Sequence, residues 1–167
     1  QNDEIALIMS FVVRESEEDP QRLRDRFSTA LRKKREAVDK KVRQARDEFS
    51  KKERDDREAF LKKSKTERDQ FLSSRKRSGD ERQRFFADQD DRRKSFFADQ
   101  QEKRKDFEMK VQDERKASDD FIREKQNAFN QEWRGYQQRF TERKNKLELK
   151  KKMESKSRDL ERADIVL

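Results

Sequence analysis

The sequence predicts an all-α protein: a long extended helix forming a coiled coil, with heptad segments at both ends and an 11-residue, hendecad-like aromatic repeat between them. Three observations predict it. Phenylalanine falls at 49, 60, 71, 85, 96, 107 and 121, at intervals of 11, 11, 14, 11, 11 and 14. At about 100° per residue, eleven residues make three turns plus about 20° and fourteen make four turns less about 40°, so each set of three intervals returns the ring to its starting azimuth. Successive copies begin at Phe49 and Phe85, and the second shows FFADQ twice. Charged residues make up 51% of the chain and hydrophobic residues 28%, with two glycines and one proline, which leaves too little apolar surface for a globular core. Disordered chains share that composition, but disorder has no need of phenylalanine at a fixed azimuth.

Residues 1–19 stand apart as an apolar and acidic N-terminal docking segment. Ile5 to Val13 is a continuous apolar run, followed by the acidic RESEEDP. Its β-branched and aromatic members suit a buried strand or a docking segment, and it is too short to cross a bilayer. The bland alternative is a tail tucked against its own helix. Asp19-Pro20 reads as a helix start, because aspartate accepts from free first-turn amides and proline has no amide to leave unpaired.

Residues 20–48 form a basic heptad helix, with Phe27, Leu31, Val38, Val42, Ala45 and Phe49 at spacings of three, four and seven. Residues 49–121 form the Phe-stripe helix. Within it, Ser78-Gly79-Asp80-Glu81 is the candidate break, since Ser followed by Glu three residues later makes a capping box and glycine costs about 1 kcal/mol inside a helix. A helical hairpin about Gly79 is thus the alternative to one continuous helix. The stripe crosses Gly79 in phase from Phe71 to Phe85, which favours continuity.

Residues 122–160 return to heptad spacing at Ile122, Phe129, Trp133, Tyr136, Phe140 and Leu147, and residues 161–167 form an apolar C-terminal tail. The expected partner-helix packing residues are therefore Phe49, Phe60, Phe71, Phe85, Phe96, Phe107, Phe121, Phe129, Trp133, Tyr136 and Phe140. The expected end contacts are Ile5, Leu7, Ile8, Phe11 and Val12 at one terminus, with Ile165, Val166 and Leu167 at the other.

Absence of cysteine and histidine removes thiolate and imidazole chemistry, and no metal, cofactor or small-molecule substrate is expected. Carboxylates and lysines abound, but a helix with one stripe does not converge them in a dry pocket, so no catalytic residue is assigned. Residues 1–19 hold six acidic residues against one basic, and residues 20–46 hold eleven basic against three acidic. The stretch 47–120 is near neutral, with 22 basic and 21 acidic residues, and 121–167 holds thirteen basic against eight acidic. A phosphate-binding helix calls for a sustained basic stripe, so nucleic acid is disfavoured. Eleven-residue repeats also occur in helices lying on lipid, yet a narrow stripe suits a partner helix better and leaves a membrane surface as a minor reading. The chain begins at Gln1 rather than methionine, so either a leading segment such as a signal peptide is removed or the sequence starts inside a longer product, and export is the expectation of the two. The function expected is a structural or scaffolding component of a filament or larger assembly. Its partners are copies of itself or other helical subunits.

Overall fold

A computed structural model describes residues 2–14, 17–74 and 76–165. The protein is all-α, and among the described residues its elements are α1 (Asn2–Val13), α2 (Pro20–Leu72) and α3 (Gly79–Ile165). Contacts divide the chain into two units. The first comprises Gln1–Glu36 with Ser118–Leu167, and the second Ala37–Ala117.

In the first unit three helical segments enclose one core. Ile5, Ile8 and Val12 of α1 are three and four residues apart, so they share one helical face, and each is fully buried. They meet Leu23, Phe27, Ala30 and Leu31 of α2 and Ile122, Phe129 and Tyr136 of α3, with Met9, Phe11, Phe121 and Trp133 at the edge. The strand reading of the N-terminal run is therefore overturned. Its apolar residues recur at helical spacing, and Asp3 and Glu4 sit in the first turn, where carboxylates favour a helix N-terminus. The docking these residues perform is on their own chain. At the start of α2, Asp19 acts as foreseen: its Oδ1 accepts from the Gln21 amide at 3.0 Å, and its carbonyl accepts from Leu23.

The second unit is an antiparallel helix pair. α2 stops at Leu72, where the Ser74 amide donates to the Phe71 carbonyl at 3.3 Å and the Ser73 hydroxyl to the Gln70 carbonyl at 2.7 Å. α3 restarts at Gly79 with Ser78 as its cap, the Glu81 amide donating to Ser78 Oγ at 3.2 Å. Continuity through Gly79 is thus corrected to the hairpin. An in-phase stripe does not require an unbroken helix, because the intervals 11, 11, 14, 11, 11 read the same in both directions. A palindrome of spacings is what two antiparallel arms need, and the fourteen is the turn.

Candidate functional site

The side chains that organise the second unit are the six phenylalanines of the stripe, and they are paired. Phe49 stacks on Phe107 with centroids 4.4 Å apart, Phe60 on Phe96 at 4.2 Å, and Phe71 on Phe85 at 4.0 Å, all within 9° of parallel. The members of each pair are equidistant from Ser78 in sequence. In the first unit Phe27 and Phe129, also equidistant from Ser78, stack at 4.1 Å. The helix that the stripe was expected to pack against is therefore the second arm of the same chain. Each stack adds about 0.5–1.5 kcal/mol beyond the apolar area it covers. Among the described residues no ring stacks on Phe121, the seventh member of the translational pattern, which lies under the Lys34 ammonium at 4.4 Å. Its interval of fourteen is not a second turn.

Between the rungs the arms are joined by polar contacts. Gln89 Nε2 donates to the Ser64 carbonyl at 2.9 Å, and Gln100 Nε2 to the Glu53 carbonyl at 3.0 Å. Both donors and acceptors are eleven residues apart, so one interaction repeats along the pair. The FFADQ motif thereby acquires a division of labour: the first ring stacks across the interface, and the glutamine, four residues on, holds the opposite backbone. Neither glutamine stood out in the sequence, although repetition of the motif at eleven was the available signal. Exposed ion pairs flank the same seam: Lys41 with Glu114, Arg46 with Glu108, Arg92 with Glu67, Arg115 with Asp39 and Arg104 with Glu53. The hydrogen bond and charge of Glu53 raise the Arg104 pKa. Exposed pairs contribute only about 0–1 kcal/mol each, so the rings hold the seam and the charges tune its register.

Trp133 and Tyr136 serve the first unit. The indole Nε1 donates to the Pro20 carbonyl at 2.8 Å and the Tyr136 hydroxyl donates to the Glu18 carbonyl, which ties α3 to the entrance of α2. Tyr136 is fully buried, and Phe140 lies beside it at 6.4 Å. Of the expected end-contact residues, Ile5, Ile8 and Val12 are in the core, Phe11 is half-buried under the Arg26 guanidinium, and Leu7 is exposed. Ile165 is exposed, whereas Val166 and Leu167 lie outside the described residues.

Among the described residues, two open apolar surfaces stand out. From Thr141 to Ile165, α3 runs on as an arm in which every residue is exposed, Leu147, Leu149, Met153, Leu160 and Ile165 included. Leu149, Met153 and Leu160 fall four and seven apart, the spacing of a heptad seam. The second surface is on the helix pair. Leu61, Leu72, Phe86 and Phe97 each follow a rung residue and stay 36–52% exposed. On antiparallel helices the residue after a facing position turns to the same side on both, and Leu61 and Phe86 line one groove with Lys65, Arg68, Asp90 and Arg93.

Among the described residues no cluster of acidic side chains is arranged to hold a metal ion, and no helix is long and apolar enough to cross a membrane. No known family model, curated protein or solved structure matches the chain.

Proposed function

We propose that this protein is a structural or scaffolding component, a helical body that presents the arm 141–165 to a second copy or to another helical subunit of an assembly. The observation that carries this reading is the arm itself. It extends α3 by some seven turns with no residue covered, and an amphipathic helix of that length draws most of its stability from packing its apolar face. The stacked rungs satisfy the rest of the stripe within the chain, so the arm is where a partner helix adds apolar burial. The reading assigns no catalysis. Light scattering tests it: the full chain is expected to show a concentration-dependent mass above that of a monomer, persisting at high salt, while Leu149→Glu with Leu160→Glu returns it to monomer with helicity of the body retained. A parent chain that stays monomeric at every concentration and salt sinks self-association through the arm.

One observation favours a second reading, a basic helical protein on an anionic surface. The stretch 61–97 holds twelve Lys and Arg against seven Asp and Glu, a net of plus five, and it also carries Leu61, Leu72, Phe86 and Phe97 on its open face. Basic residues beside exposed aromatic and aliphatic side chains suit an anionic bilayer. Binding to anionic vesicles that vanishes at moderate salt supports this reading, and indifference to them removes it.

A further inference from the structure

The fourteen residues from Phe71 to Phe85 satisfy two geometries at once. With α2 stopped at Leu72 and α3 started at Gly79, they return the chain so that the two rings stack at 4.0 Å. Wound as uninterrupted helix, they make four turns less about 40° and keep both rings on one face. We infer that two copies of the chain exchange arms: α2 and α3 of each join into one helix, and α2 of one copy stacks its rungs on α3 of the other in the register of the closed form. The partner is a second copy, and the surface is the ladder itself.

The mirror arrangement makes this exchange self-complementary. Because every stacked pair is equidistant from Ser78, a two-fold axis beside Ser78 converts each stack within a chain into two identical stacks between chains. The two glutamine contacts and the ion pairs across the seam carry over in the same way. A helix can be built through the turn. The only proline is Pro20, and a β-carbon added at Gly79 meets nothing within 4 Å.

The closed turn is held by local contacts: the Ser73 hydroxyl on Gln70, the Ser78 cap, and the Arg77 guanidinium over the Phe71 ring at 4.7 Å. Joining the helices replaces these with bonds to the free carbonyls at the end of α2 and the free amides at the start of α3.

This exchange is independent of the arm 141–165, and its test disables the apolar seam of the arm. The full chain carrying Leu149→Glu and Leu160→Glu receives Arg46→Cys and Glu108→Cys, at positions whose native side chains meet at 3.1 Å across the seam. The chain has no other cysteine, so a short bis-maleimide bridges these two sites alone. Bridging within a closed molecule gives a monomer band on a denaturing gel, and bridging in the exchanged form gives a covalent dimer. After brief heating at about millimolar concentration and return to low temperature, the dimer band is expected to appear. Ser78→Ala with Gly79→Ala is expected to raise the dimerisation constant more than about tenfold, because each of the two copies loses a cap that weighs about fivefold for the closed turn. Lys76→Pro, which forbids helix through the turn, is expected to abolish the dimer. Bridging that stays within single molecules in both the parent and the alanine variant overturns the proposal, as do bridged dimers that survive Lys76→Pro.

Discussion

Replacing Ile8 with aspartate is expected to dissolve the core of the first unit, with a loss of more than about 3 kcal/mol. The side chain is fully buried in a core cluster whose members are hydrocarbon apart from Tyr136, and that hydroxyl already donates to the Glu18 carbonyl. The acid must then either take up a proton or expel α1, and both routes cost several kcal/mol. Leu7→Asp, one residue earlier on the exposed face, is expected to stay within about 0.5 kcal/mol. Thermal melting followed by circular dichroism, with hydrogen exchange read at 2–13 and 122–136, separates the two. Equal effects at positions 7 and 8 would mean that α1 does not pack as a helix on this core.

Truncation of Phe129 to alanine is expected to cost about 3–5 kcal/mol, the range for emptying a buried aromatic site. Phe129 is 2% exposed and stacks face to face on Phe27, so its removal leaves a void in the core and strips one surface of the partner ring. A double-mutant cycle with Phe27→Ala is expected to return a coupling of about 0.5–1.5 kcal/mol for the ring pair. Phe86, 42% exposed, is the control, and its truncation is expected to cost under about 1 kcal/mol. Chemical denaturation of the four variants decides the matter. A Phe129 variant no less stable than the Phe86 variant contradicts the packing described.

Helicity was legible because it depends on composition and period, both local properties of the chain. The start of α2 at Pro20 was legible for the same reason: a cap is a contact between neighbours. The turn at Gly79 was harder to read. The stripe is consistent with translation by the 11, 11, 14 repeat and with reflection about Ser78, and only the second also brings in Phe27 and Phe129, each two elevens beyond the end of the six-ring stripe. Reflection is the stronger regularity, since Phe121 fits the repeat but meets no facing ring among the described residues. α1 is ambiguous in the sequence because its β-branched residues suit a strand, and only the spacing of Ile5, Ile8 and Val12 marks a helical face. Gln89 and Gln100 were hidden because a polar residue in a highly charged chain carries no mark until the opposite backbone is placed beside it.

The spacing of the rungs has a thermodynamic consequence. In the second unit the paired phenylalanines are only half-buried, and Val42 and Val111 are its buried hydrophobic residues among those described. Unfolding there exposes little new hydrocarbon per residue, and apolar exposure is what raises heat capacity. The heat-capacity increment of this unit is therefore expected to fall below the roughly 12–15 cal/mol/K per residue of ordinary domains. Its stability curve flattens, with a broad calorimetric transition and a shallow dependence on urea. A hairpin held this way softens gradually with temperature rather than failing at one threshold.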